Sequence, residues 1–236
     1  MNLLILSLAP VFIIAVYIYY RDKYEKEPIG LLLFTLLIGG VTVFPILFVE
    51  QFLHRFTPLF PGLLSPAWNA FAVAAFTEEF FKFAALFLLI WKHREFNEKF
   101  DGIVYATYIS LGFAAVENVL YVLGNGIDTG IIRAVTAVPA HAIFGITMGF
   151  YFGLAKFYKK QQNTLLLKAL FFPILLHGIY DFILMTGINW LLIFFFAFVI
   201  FLYIFGLKKV KNLSDQSIYK TDFDLLNKKF GQDGDE

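Results

Sequence analysis

One stretch decides the fold of this chain: residues 67–91, AWNAFAVAAFTEEFFKFAALFLLIW. It is an apolar run long enough to cross a bilayer as a helix, yet Glu78, Glu79 and Lys82 lie near its middle. Each charged group at that depth costs from a few kcal/mol upward, about 2.5–3.5 kcal/mol on insertion scales. We therefore expect the three charged groups to face protein or water and to carry the function.

The composition places the whole chain in a lipid bilayer. Hydrophobic residues make up 59% and charged residues 16% of the 236 residues, which excludes an ordinary soluble domain. The net charge of +1 gives no support for nucleic-acid binding. The chain has no cysteine, so disulfides, thiol catalysis and thiolate metal ligands are excluded together.

Seven apolar runs predict an all-α, polytopic integral membrane protein with about seven transmembrane helices. These runs are residues 3–20, 29–49, 67–91, 102–123, 134–155, 167–187 and 188–207. We expect residues 1–207 to form the transmembrane domain. The remaining residues, 208–236, hold six basic and six acidic residues with few apolar anchors, and this composition predicts a solvated, mobile tail.

Basic residues predict the orientation of the bundle. Apart from Lys82, sixteen of the 19 lysines and arginines lie in alternate loops and in the tail, whereas only Arg55 and Arg133 lie in the opposite loops. Loops rich in lysine and arginine remain in the cytoplasm. We therefore expect the N-terminus to lie outside the cell and the tail to be cytoplasmic.

The spacing of the three charges in the third run suggests chemistry. Glu78 and Lys82 are four residues apart, and Glu79 and Lys82 are three apart, so all three share one helix face. Lys82 can neutralise one carboxylate and leave the other free to titrate, as a general acid or base requires. The same cluster could instead only fix helix packing.

Four further polar groups lie inside later runs: Glu117, His141, His177 and Asp181. His141 belongs to a ridge of small residues spaced by four in the fifth run, which predicts close contact with a neighbouring helix. The other members of this ridge are Ala137, Gly145, Gly149 and Gly153. Glu117 follows a small face on the fourth run, with Asn118 beside it as a hydrogen-bond partner.

His177 and Asp181 are four residues apart, so that the carboxylate can orient the imidazole. At about 1.5 Å of rise per residue, all of these groups fall in the outer half of the bilayer or near its midplane, and one shared site is geometrically feasible. Glu50, His54 and Arg55 are explained by their position at the outer end of the second run.

Carboxylates and imidazoles without a cysteine nucleophile favour activated water. In one version, Glu78 or Glu79 is the base and a histidine stabilises the oxyanion. In another, Zn²⁺ is bound by His141, His177 and a glutamate, with Glu79 and Glu117 as the candidates. On residues alone, a proton- or cation-coupled transporter is an equal alternative to a hydrolase. A non-catalytic scaffold is a third, and it would tolerate neutral substitution at the polar positions.

Seven short motifs follow one another along the chain: RDKYEKEP at 21–28, FTEEFFK at 76–82, DGIVY at 101–105, LGFAAVEN at 111–118, HAIFG at 141–145, MGFY at 148–151 and LHGIYDF at 176–182. Together they resemble the PrsW family of intramembrane proteases. The related CAAX prenyl endopeptidases have the patterns EExxxR, FxxxH and HxxxN. In this chain Lys82 takes the place of the arginine and follows the second glutamate at a spacing one residue shorter. Glu117 replaces the first histidine, and Asp181 replaces the asparagine. These departures separate the chain from prenyl-protein processing.

The resemblance implies a multi-pass protease of the bacterial plasma membrane. Its implied substrate is a single-pass membrane anti-sigma factor, cleaved near the extracytoplasmic side (site-1 cleavage) during envelope stress. We expect the site residues to divide the work. Glu78 and Glu79 would activate the water, and Glu117 and His141 would share that role or bind a metal. His177 would stabilise the oxyanion or bind a metal, and Asp181 would orient His177. Lys82 would balance the charge of the two glutamates.

Overall fold

A computed structural model describes residues 3–220, and every regular element in that range is helical. The α-helices are α1 (Leu3–Arg21), α2 (Ile29–Val41), α3 (Val43–His54), α4 (Leu64–Ala67), α5 (Phe76–Ile90), α6 (Lys99–Asn125), α7 (Ile127–Val135), α8 (Ala137–Phe157), α9 (Gln162–Met185) and α10 (Leu191–Asp215). Short 3₁₀ turns occupy Thr57–Leu59 and Lys159–Gln161, and a π-helix, Trp68–Ala75, joins α4 to α5.

The predicted spans are confirmed as helices. Six helical stretches are long and apolar enough to cross a membrane, and they correspond to the first, second and last four predicted runs. The third run is continuously helical from Leu64 to Ile90 and contains the three charged residues. The chain is therefore an all-α, multi-pass membrane protein.

The bundle has two chemically different ends. The "basic end" consists of residues 22–28, 91–98 and 158–161 together with the end of α10, and it contains most of the lysines. The "opposite end" consists of residues 55–63, the α6–α7 junction and the α9–α10 turn at 186–190. Gly187 has φ +65° in that turn, a left-handed conformation that favours glycine.

Helix α6 is the centre of the bundle and packs closely on both sides. On one side it meets the predicted small-residue ridge of α8, where a Cβ added to Gly149 would strike the carbonyl oxygen of Gly102. On the other side Gly112 lies against the backbone of Leu36 in α2. The absence of side chains at these glycines lets the backbones touch, and the spacing of four had predicted this for the α8 ridge.

Two irregularities shape the helices around the site. Helix α2 ends at Val41 because Pro45, inside α3, has no N–H to donate to the Val41 carbonyl. The Thr42 hydroxyl donates to the Gly39 carbonyl at 2.6 Å across this break. The π-helix Trp68–Ala75 then widens the turns just before the paired glutamates of α5.

The last helix continues past residue 207, the predicted end of the transmembrane domain. Helix α10 extends to Asp215, and Val210 and Leu213 are buried against the core because they share its inward face. The Ser217 hydroxyl donates to Glu98 at 2.6 Å. Within the predicted tail, Val210, Leu213 and Ser217 thus contact the bundle, and residues 221–236 lie outside the described residues.

Candidate active site

A cavity of about 1120 Å³ opens at the opposite end of the bundle. Its walls reach from helix ends, at His54, Asn125 and Met185, inward to Glu78. Most of the lining is apolar. The polar residues of one wall are the predicted ones, contributed by α5, α6, α8 and α9: Glu78, Glu117, His141, His177 and Asp181.

Lys82 ties the paired glutamates together behind this wall. Its Nζ donates to Glu78 Oε2 and to Glu79 Oε1, both at 2.9 Å, as the i, i+4 and i, i+3 spacing predicted. Nζ also lies 3.4 Å from His141 Nδ1 and 3.9 Å from the centre of the Phe113 ring. Lys82 and Glu79 are fully buried, so the ammonium group is satisfied by protein groups alone.

His177 connects α9 to the glutamate pair. Its Nδ1 lies 3.0 Å from Glu79 Oε1, and its Nε2 lies 3.2 Å from Asp181 Oδ2. The ring stacks on Phe144 at 4.8 Å between centroids. Both ring nitrogens face carboxylates and one ring face is covered, so the imidazole has a fixed orientation.

His141 belongs to a second chain of contacts. Its Nε2 lies 3.0 Å from Glu117 Oε2, and Arg133 Nη2 donates to the same oxygen at 2.6 Å. Arg133 Nε donates to Asn118 Oδ1 at 2.9 Å, and Asn118 Nδ2 donates to the Ser7 carbonyl at 2.8 Å. This series of hydrogen bonds anchors the Glu117 carboxylate to α1.

The predicted residues therefore lie together, and three others join them. Arg133 was used in the sequence only to predict orientation, although it precedes Ala137 and His141 at the same spacing of four. Glu50 and His54 were ascribed to their helix-end position alone, yet both line the cavity. No sequence pattern shows which face of α3 lines the cavity.

The donor atoms fit a metal ion in type and proximity. Glu78, Glu79, His141 and His177 each offer an oxygen or nitrogen atom, and these atoms lie within 4.8 Å of one another. Two imidazoles and two carboxylates suit Zn²⁺. Glu79 Oε2 is buried and accepts no hydrogen bond from any described residue. The Lys82 ammonium contacts three of the four donor groups, so it competes with a metal for them.

Glu117 lies outside this donor group, on the far side of His141. Among the described residues, the four clustered donors thus include Glu78 in place of Glu117, which the sequence had offered as a ligand. Chemically, the arrangement can hold an anionic base, a fixed cation and an oriented imidazole around one point on a cavity wall.

Comparison with known proteins gives one consistent result. The model of the PrsW-protease family, described as "PrsW family intramembrane metalloprotease", matches residues 27–207. A curated protein named "Protease PrsW" from Geobacillus kaustophilus is 42% identical over 190 residues, which cover 80% of this chain and 82% of the relative. No solved structure gives a significant match.

Two further bacteria have curated relatives of the same name with lower sequence identity to this chain. That of Halalkalibacterium halodurans is 37% identical and covers 89% of this chain and 96% of its own length. That of Clostridioides difficile is 36% identical and covers 97% of this chain and 98% of its own length. The similarity therefore includes every helix that contributes to the cavity.

Proposed function

The chain belongs to the PrsW family of intramembrane metalloproteases, and on that premise we propose that it cleaves a single-pass membrane anti-sigma factor near the extracytoplasmic side. Family membership makes the chain a bacterial multi-pass membrane peptidase. It also decides between the hydrolase and the transporter that the residues alone left open.

One observation carries the proposal: five polar side chains from four helices form one wall of an apolar cavity that opens at the opposite end. An extended peptide in such a cavity keeps its side chains against apolar surface while its scissile amide meets the polar wall. The positive-inside pattern supports an extracytoplasmic position for this opening.

The geometry favours different roles for the two adjacent glutamates. Glu78 lines the cavity, so we assign it the role of general base that accepts a proton from the attacking water. Glu79 is fully buried between Lys82 and His177, so we assign it the role of holding these two side chains in position. We assign to His177, oriented by Asp181, the stabilisation of the negative charge that develops on the scissile carbonyl oxygen; its Nε2–H would have to give up part of its contact with Asp181 Oδ2 to donate to that oxygen. Glu117 fixes the ring of His141.

If a metal is bound, Glu78, Glu79, His141 and His177 are the residues that would hold it. A bound Zn²⁺ supplies a water of lowered pKa and polarises the carbonyl. Lys82 would then have to leave part of its present contact with the carboxylates, because both cations use the same oxygens.

The test is cleavage of a tagged, single-pass anti-sigma factor that is co-expressed with the protease. We expect the wild-type protease to convert the substrate into a shorter fragment that stays in the membrane, and Glu78→Gln to form no such fragment. The matched control is Asp128→Asn, the same carboxylate-to-amide change at an exposed position of α7. Equal cleavage by Glu78→Gln, at equal amounts of protease in the membrane, would contradict the assignment.

A second measurement tests the metal. We expect the purified protein to contain Zn²⁺, and a chelator that removes it to stop cleavage until Zn²⁺ is restored. The matched variant His177→Ala should lose the metal as well. Full cleavage by metal-free protein would leave the version in which the glutamates activate water alone.

A further inference from the structure

A second group of carboxylates lies at the basic end, far from the cavity. Glu25 and Glu27 belong to the connection between α1 and α2, and Asp101 lies in the first turn of α6. One oxygen of each lies within 4.8 Å of the others. We call these three residues the loop carboxylates. Asp101 and Glu117 are separated along α6 by about 24 Å of helix rise, so this group is distinct from the active site.

Each loop carboxylate is held by one oxygen and has a second oxygen without a donor. Glu27 Oε2 accepts from the Tyr105 hydroxyl, and Asp101 Oδ2 accepts from the backbone N–H of Asn97 and Glu98 at 2.8 and 2.7 Å. Glu25 Oε1 accepts from the Asn97 amide at 3.3 Å. Within residues 3–220, the remaining oxygens of all three are buried and accept no hydrogen bond.

Burial makes these free oxygens unusual. Glu27 is 2% and Asp101 0% exposed, so water does not satisfy them at the surface. Asp22, which is 1% exposed, repeats the pattern beside them: its Oδ2 accepts from the Glu27 N–H at 3.0 Å, and its Oδ1 accepts nothing from the described residues. Buried polar atoms in native proteins are normally paired, so these oxygens need an explanation, and a bound cation would supply one.

The nearby basic side chains do not supply that partner. Lys26, between Glu25 and Glu27, donates instead to the Tyr19 carbonyl and lies over the Tyr19 ring. Arg21 Nε makes no hydrogen bond within the described part of the chain. No salt bridge there joins a lysine or arginine to a loop carboxylate.

We propose that Glu25, Glu27 and Asp101 form a binding site for a hard divalent cation, Mg²⁺ or Ca²⁺, which ties the α1–α2 connection to the start of α6. The donors are all oxygens, which these two ions prefer, whereas the active-site donors include two imidazoles. Asp22 lies alongside and adds negative charge to the site.

The experiment uses the full chain in detergent after chelator treatment. We expect Mg²⁺ or Ca²⁺ to raise its thermal unfolding midpoint, and titration calorimetry to give the affinity for each ion separately. Glu25→Gln and Asp101→Asn should each weaken binding by at least about tenfold. Both variants keep an oxygen that can accept the existing hydrogen bonds from residues 97 and 98, so the local fold is preserved.

Two controls locate the ion. Glu95→Gln removes a carboxylate that pairs with exposed Arg94 in the connection between α5 and α6, and should leave binding unchanged. His177→Ala alters the active site and should also leave binding unchanged. The proposal is overturned if wild type binds neither ion, if Glu25→Gln and Asp101→Asn bind as wild type does, or if His177→Ala loses the binding.

Discussion

Glu78 and Glu79 are adjacent in sequence but have different surroundings. Consecutive residues on a helix point about 100° apart, so only one of the two can face the cavity squarely. Glu78 lines the cavity, and Glu79 is enclosed by Lys82 and His177. Substitutions at the two positions should therefore impair the protease for different reasons.

Glu79→Gln should abolish cleavage although residue 79 does not line the cavity. The neutral amide cannot hold Lys82 and His177 as the carboxylate does, and general acid–base groups placed in this way contribute about a hundredfold or more. Lys82 retains Glu78 as a partner, so the variant should remain in the membrane at the normal amount. Immunoblots of protease and substrate measure both. Full cleavage at comparable expression would refute this role.

Arg133 should hold Glu117 in position, since its guanidinium group donates one hydrogen bond to Glu117 and another to Asn118. Lysine keeps the charge but cannot make both contacts, so we expect Arg133→Lys to lower kcat by about tenfold to a hundredfold with little change in KM. Arg55→Lys, at an exposed position of the same end, is the matched control. A change confined to KM would instead place Arg133 in substrate binding.

At the scale of helices, spacing predicted one of the two close packings of α6. The ridge on α8 was visible as residues repeated every four positions, and the structure places it against α6, where Gly145 meets Ser110. The equally close approach of α2 to Gly112 was not predicted.

The spacing of small residues could not predict where the helices are interrupted. The interruption at Thr136 separates α7 from α8, and it lets Arg133 turn back to Glu117 rather than continue the ridge.

Gly149→Ala should destabilise the bundle. The added methyl group would strike the Gly102 carbonyl, and backbone cannot move aside as a side chain can, so overpacking of about 1–3 kcal/mol is expected. The unfolding temperature in detergent measures the effect. Gly124→Ala, on α6 with no atom within 4 Å of the added carbon, should be neutral or slightly stabilising. Equal midpoints for the two variants would contradict this account of the interface.

The sequence predicted many of the polar side chains that lie at the cavity, but neither Arg133, Glu50 and His54 nor the contacts that join these side chains across helices. Charge inside an apolar run singled out Glu78, Glu79, Lys82, Glu117 and the two later histidines because the bilayer makes such charge costly. Their partners across helices depend on tertiary packing, which one sequence does not encode locally. Glu50 illustrates the limit, because a carboxylate near a helix end is ordinary until tertiary packing places it on the cavity wall.

For the molecule as a whole, the asymmetry between its two ends predicts how it sits in the membrane. Basic residues gather at one end, and the cavity opens at the other. The absence of cysteine makes the orientation directly measurable, because any introduced thiol is then the sole one in the chain.

Leu59→Cys and Lys160→Cys should label from opposite sides. Each lies exposed in a short 3₁₀ turn, the first at the opposite end and the second at the basic end. A membrane-impermeant maleimide should modify Leu59→Cys in intact cells and Lys160→Cys only after permeabilisation. The reverse pattern would place the cavity opening in the cytoplasm and remove the proposed extracytoplasmic cleavage.

The π-helix Trp68–Ala75 has a consequence for how this protease can vary during evolution. Since a π-turn holds about one residue more than an α-turn, the loss of one residue within this π-helix can be absorbed by turning a π-turn into an α-turn. Both glutamates would then keep their direction toward His177 and His141. Chain length can therefore vary by one residue in this interval, whereas a deletion inside α5, between Glu79 and Lys82, would rotate both glutamates relative to Lys82 by about 100°.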